Sequence, residues 1–320
     1  MKKQPTAVEA IPPRPHRWGT ALLVLFLLAF ISFISSLVIG FFISGTPVAL
    51  EGNVAHITIE GPILVSHAGT VFSAEVTESD QIIKLIQEAD ENPEIKAILF
   101  EINSPGGSAV ASAEIASAIQ KSNKITAAWI RESGASGAYW IASSTDYIVA
   151  HPLSITGSIG VIASYLDFAQ FINRYNITYQ RLVAGQYKDM GIPFRQLTQE
   201  EEKIFQGNLD AIHNYFILEV AKNRGISVEQ TRKLANGLFY LGAQAKDMGL
   251  VDELGGKDEA VAYLERTLNT TVVLAKYEKP KTLAELLTEV ISRQTFSVGE
   301  GIASGFVKQQ ARASDVTVRT

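Results

Sequence analysis

The stretch IKAILFEINSPGGSAVASAEIASAIQKSNKITAAWIRESGASGAYWIASSTDYIVA, residues 95–150, decides the fold. Residues 95–102 are a short apolar run bounded by turn formers, as expected of a buried strand. The turn Asn103-Ser104-Pro105-Gly106-Gly107 follows, and residues 108–121 read as an Ala-rich helix. Residues 125–130 are a second buried strand. A Gly/Ser/Ala turn then leads into a helix over 137–143, and 147–150 is strand-like. Strand, turn and helix repeating in this order imply parallel strands joined by crossover helices, an α/β fold.

Upstream of this stretch, residues 53–59 favour β-branched and apolar types and read as a strand. Residues 79–89 place Ile82, Ile83, Leu85, Ile86 and Ala89 at nearly helical spacing, and Pro93 stops that helix. On the other side, Thr198 opens a long helix to about Arg224. Glu200, Glu201 and Glu202 stand in its first turn, where the helix dipole favours them, and Gly225 ends it. Ser227 caps a short helix beginning with Glu229 and Gln230. A strand over 271–275 and a helix over 282–292 close the fold. The Gly/Ser/Gln-rich tail from Gln294 is expected to be mobile.

The 320 residues are 47% apolar and 19% charged, enough for a real core and against disorder as the main state. A net charge of −5 argues against a nucleic-acid binder that works by neutralising phosphate. With no cysteine, disulfides, thiolate metal sites and a cysteine nucleophile are excluded. The chain has no P-loop, no G-x-G-x-x-G and no H-E-x-x-H, and its five histidines are scattered, so no metal or cofactor is expected.

The mean hydropathy of +0.13 has a local cause. Residues 21–43 are 23 residues without a charge, broken only by Ser32, Ser35, Ser36 and Gly40. A helix of this length spans a hydrocarbon core of about 30 Å, and the run exceeds the ~7–15 apolar residues of a cleaved signal peptide. Lys2, Lys3, Arg14 and Arg17 stand before it against Glu9, and the 19 residues after Ser44 hold no Lys or Arg. Positive charge stays in the cytoplasm, so the body is expected outside it. The expected organisation is a cytoplasmic tail (1–19), an anchor (20–44), a folded domain (50–293) and a C-terminal tail (294–320).

Two Gly-rich turns follow buried strands, where sites form in α/β folds. The first is 103–108. The second is Gly134-Ala-Ser136-Gly137-Ala-Tyr139, which puts a serine hydroxyl where a strand gives way to a helix, beside a free Gly137 N–H. Such N–H groups can stabilise an oxyanion formed by serine attack. Both segments are also consistent with plain tight turns. A nucleophilic serine needs a base, and His151 and Lys188 are both available. Lys188 would have to be buried to lower its pKa toward neutrality, with Tyr187, Met190 and Ile192 as wall and Asp189 turned away.

With these residues the chain resembles the SppA-type signal peptide peptidases in their short, single-repeat bacterial form. NSPGGS (103–108), ASGAYWIA (135–142), TGSIGV (156–161) and YKDMG (187–191) fall in the family order over most of 50–260. Ala138 departs from the family's usual second glycine after the serine. The resemblance implies a Clp/crotonase-like fold of strand–strand–helix repeats behind one transmembrane helix. It also implies a Ser–Lys dyad serine endopeptidase, with Ser136 as nucleophile and Lys188 as general base. Gly107 and Gly137 would be the oxyanion donors, and Ser158 would orient the lysine. It further implies a homo-oligomeric ring, in which serine and lysine of one site can come from neighbouring subunits. The substrates would be remnant signal peptides, and the location the bacterial plasma membrane with the catalytic domain outside the cytoplasm. Ile159, Val161 and Ile162 are candidates for apolar specificity pockets. Two other readings use the same turns: a crotonase-like acyl-thioester enzyme without a nucleophile, and an inactive membrane scaffold.

Overall fold

A computed structural model of the chain describes residues 18–43, 52–66 and 76–278. It divides into two compact units, Met1–Leu50 and Glu51–Thr320. The first unit contributes one helix, α1 (Trp18–Ile43), of 26 residues. Its side chains are placed at 18–19 and 22–36, and all of these are exposed. Among the residues so described, no helix is long and apolar enough to cross a membrane. The helix expected over 282–292, the tail from 294 and residues 1–17 lie outside the described residues.

The second unit begins with β1 (Val54–Glu60), the short β2 (Ile63–Leu64) and β3 (Thr77–Glu78), and α2 (Ser79–Glu91). The decisive stretch follows as β4 (Ala97–Ser104), α3 (Ala109–Lys121), β5 (Ile125–Ala135), α4 (Gly137–Ser143) and β6 (Tyr147–Ala150). Then come β7 (Ile155–Gly157), α5 (Ala169–Arg174), α6 (Gln199–Arg224), α7 (Val228–Leu234) and β8 (Phe239–Leu241). The described chain ends with α8 (Gly242–Asp247), β9 (Glu253–Leu254), α9 (Lys257–Leu268) and β10 (Leu274–Tyr277). This is a mixed α/β fold around one central sheet.

The sheet runs β10-β1-β4-β5-β6-β9 with every neighbour parallel. Its apolar runs are continuous because both faces are covered. In β1 and β4, Ala55, Ile57, Ile98, Phe100 and Ile102 join the larger core with α2, α3, α4 and α6. Val54, Ala97 and Leu99 point the other way, onto Ala260 and Leu264 of α9. Each such buried Leu, Ile or Phe contributes about 1.5–3 kcal/mol relative to exposure. Trp140 of α4 stacks on Phe216 of α6 with ring centroids 4.7 Å apart, which fixes α6 against the core.

The repeat is strand–helix through β4–α3 and β5–α4, not the expected strand–strand–helix. After β4 only an isolated bridge survives, Gly107 to Ile63 of β2. After β5 the strand itself continues: it runs to Ala135, beyond the run expected at 125–130, because Ser133–Ala135 pair with β7. β7 pairs antiparallel with β8. These extensions carry the two Gly-rich turns.

Candidate active site

The two turns meet because β4 and β5 are parallel neighbours and end on the same side of the sheet. Ser104 holds the first turn: its Oγ donates to the Gly61 carbonyl at 2.6 Å and accepts the Gly106 N–H at 3.1 Å. Gly106 has φ +96°, and a Cβ there would lie 2.7 Å from Gly137 N and 3.0 Å from the Ser136 Cβ. Only glycine lets the turns approach this closely.

The bridge to Ile63 aims the next amide. Ile63 N–H donates to the Gly106 carbonyl at 3.0 Å, and Ser108 N–H donates to the Ile63 carbonyl at 2.8 Å. Both bonds leave from either side of Gly107, so its own N–H faces the opposite way and has no acceptor among the described residues. A Cβ on Gly107 would strike the Ile63 carbonyl.

Ser136 sits at φ +53°, ψ −124°, a strained conformation for a residue with a side chain. Its N–H donates to the Gly157 carbonyl at 2.8 Å, and its carbonyl accepts the Trp140 N–H at 3.0 Å. The kink is thus imposed from β7 on one side and α4 on the other. It leaves the half-buried side chain pointing away from the backbone bonds, and Oγ has no hydrogen bond among the described residues. Gly137 N–H, the first of α4, likewise has no acceptor among the described residues. A Cβ on Gly137 would lie 3.4 Å from Gly107 N, so the two turns bring these two amides close together beside the serine.

That Cβ would also collide with Ser112 Oγ. Gly137→Ala should therefore displace the Gly137 amide and cut kcat by about 10²-fold, the cost of one misplaced oxyanion donor. Ser112→Gly in the same chain should recover part of the loss. Steady-state hydrolysis checks this; an unimpaired Gly137→Ala enzyme counts against the donor.

A cavity of about 780 Å³ opens here, lined by Gly107, Ser136, Gly137, Ser158, Val161 and Ile162, among others. Ser158 is also at positive φ, +50°, and its Oγ reaches the Gly237 carbonyl at a long 3.4 Å, a weak contact. Ile159 is fully buried and does not line the cavity. His213 of α6 lines it, with Nε2 at 3.2 Å from the Ile159 carbonyl. Sequence reasoning missed His213 because only the packing of α6 on α4 brings it here. His151, the rival base, is exposed, and its Nδ1 accepts the Leu153 N–H at 3.2 Å. It does not line the cavity.

Lys188 does not line this cavity. It is exposed on a turn closed by Lys188 N–H to the Gly185 carbonyl at 3.1 Å and Met190 N–H to the Tyr187 carbonyl at 3.1 Å. Tyr187 is exposed, and Met190 and Ile192 are half-buried, so the expected apolar wall is not closed around the amine. Asp189 makes no ion pair with the lysine: Arg181 and Arg195 occupy its carboxylate at 2.7 and 2.9 Å. Their hydrogen bonds hold that carboxyl far below the usual range. The segment around Lys188 exposes large apolar side chains, with Leu182 at 96%, Ile162 at 90% and Leu166 at 70%. Among the described residues no group of acidic or histidine side chains could hold a metal ion.

The model of peptidase family S49 matches residues 118–271. A protein of Methanocaldococcus jannaschii, named there as a candidate protease, is 31% identical over 293 residues, 89% of this chain and 92% of its own length. The chain belongs to peptidase family S49. Another relative, named as a candidate signal peptide peptidase SppA of Enterococcus faecium, is 31% identical over 70% of this chain and 66% of its own length. Protease 4 of Haemophilus influenzae is 32% identical over 69% of this chain, but the match spans only 37% of that longer protein. The S49 chain is an SppA-type serine protease. The segment matched to the S49 family takes in Ser136, Gly137, Ser158 and Lys188, and leaves Gly107 upstream.

Proposed function

We propose that this S49 protease is a membrane-anchored endopeptidase that degrades remnant signal peptides through a Ser136–Lys188 dyad. One observation carries the reading: an unbonded Ser136 Oγ on a strained strand-to-helix turn, flanked by the unpaired amides of Gly107 and Gly137 in one cavity. Neutral Lys188 takes the Ser136 proton as Oγ attacks the peptide carbonyl. The amides of Gly107 and Gly137 hold the oxyanion, and the protonated lysine gives its proton to the leaving amine. Water then hydrolyses the acyl-enzyme with Lys188 again as base. Ser158, in the Ser136 cavity, orients the arriving amine by a hydrogen bond from its hydroxyl.

In this reading Lys188 comes from a neighbouring copy in a ring. Its exposure here and the apolar surface around it support that arrangement, since an amine must be desolvated to become a base. The scaffold is a Clp/crotonase-like fold. Residues 20–44 anchor it in the plasma membrane, residues 1–19 stay cytoplasmic, and the domain 50–293 works on the outer side, with 294–320 as a tail. The strained nucleophile argues against the acyl-thioester reading, for which the two amides alone would serve. The test uses liposomes that hold both the full chain and a labelled signal-peptide helix. The helix should be cut, and an acyl-CoA thioester offered instead should not be. Turnover of the thioester with an intact helix would contradict the proposal.

A further inference from the structure

The segment that carries Lys188 has little core of its own, since most of its large apolar side chains are exposed. Ordering a loop costs about 1–2 kcal/mol per residue, so something else must hold it. The Arg195 guanidinium bridges two carboxylates. It donates to Asp189 from Nε at 3.0 Å and from Nη2 at 2.9 Å. It donates to Glu201 from Nη1 at 2.8 Å and from Nη2 at 2.6 Å. Arg181 adds two bonds to Asp189, at 2.7 and 2.9 Å, and a third to the Gln186 carbonyl at 2.9 Å.

The far end of this network is fixed. Glu201 closes the capping box of α6 with Thr198, and α6 buries Phe216, Ile217 and Val220 in the core. Tyr187 is tied to the same helix turn through its hydroxyl, which donates to Glu200 at 2.6 Å. Both chain neighbours of Lys188 are thus bonded, directly or through Arg195, to the start of α6, and the lysine between them has no side-chain partner among the described residues. Asp189 and Glu201 are well covered, with side chains 7% and 5% exposed. Ion pairs removed from water contribute little net stability, and fixing geometry is their better-attested use. The network also balances two arginines against two carboxylates, so the carboxylate next to Lys188 is not free to hold the amine protonated.

We propose that the Arg181–Asp189–Arg195–Glu201 network positions Lys188, with Arg195 as its essential member. This rests on the Ser136–Lys188 reading of the site. A lysine at 195 cannot reproduce a fork that grips two carboxylates at once.

The test measures hydrolysis of an activated nitrophenyl ester of an apolar acyl-amino acid by the full chain. Arg195→Ala should lower kcat by about 10- to 100-fold with KM within about twofold, the scale expected of a misplaced catalytic group. Arg195→Lys should not restore it. In a Lys188→Ala background the same Arg195→Ala change should cost less than about twofold, because residues that act as a unit are not additive. Asp189→Asn, which keeps the side-chain shape, is run in both backgrounds and should behave alike; it decides the question should Arg195→Ala not fold. Equal losses in the two backgrounds would overturn the proposal, as would unchanged kcat in the single variants beside an inactive Lys188→Ala enzyme. Full activity of Lys188→Ala would instead remove the dyad, and the positioning role with it.

Discussion

Ser136→Ala is expected to lower peptide hydrolysis by about 10³-fold or more while leaving the fold intact. The first half follows from the geometry. The serine oxygen is the group beside which two backbone amides stand without acceptors, and no other part of the turn can supply an attacking atom. The second half follows from the bonding. The kink at 136 is held by backbone bonds to Gly157 and Trp140, and the hydroxyl takes no part in it. Alanine keeps those bonds, so stability should shift by no more than about 0.5 kcal/mol, the usual range for a substitution that breaks no structural feature. Thermal melting beside steady-state hydrolysis checks both halves. Lost activity together with a lost melting transition would mean that the hydroxyl is structural.

Lys188→Ala should be as inactive as Ser136→Ala, yet mixing the two dead variants should restore activity. If one copy supplies the serine and its neighbour the lysine, a mixed ring holds some sites with both groups intact. Random one-to-one mixing makes about a quarter of the head-to-tail contacts competent. The expected result is recovery toward that fraction after the two proteins are dissociated and reassembled together. A mixture that stays inactive would mean that each chain builds its own site, and that the segment holding Lys188 folds back onto Ser136. The exposure of Lys188 in the single chain makes the first outcome the expected one.

Much of this was legible in the sequence, for a physical reason. A parallel sheet covered on both faces needs unbroken apolar strands, and the turns between them need Gly, Pro and Ser. Residues 95–150 therefore announce their own boundaries: α4 at Gly137–Ser143 and β6 at Tyr147–Ala150 fall where the residue types place them. Thr198 and Gly225 mark the ends of α6 equally well, through a capping box and a left-handed C-cap. Less legible were elements whose partners are distant in the chain. β7 is three residues long and forms only because Ser133–Ala135 and Phe239–Leu241 lie on either side of it. Yet β7 supplies the carbonyl that bends Ser136. The covering helix α9 and the arrival of His213 in the cavity likewise depend on packing that no local pattern encodes. For Lys188 the local pattern asked for burial behind Tyr187, Met190 and Ile192, and the structure leaves the residue exposed because those side chains do not close over it.

The proposed role of Ser136 as an acylating nucleophile is checked by exposing the full chain to a fluorophosphonate probe and locating the adduct by mass spectrometry of the digested protein. A single adduct is expected on the peptide that contains Ser136. That adduct should be absent in Ser136→Ala and formed at least about tenfold more slowly in Lys188→Ala, as expected for loss of a general base. No adduct, or an adduct on another residue with Ser136 untouched, would contradict it.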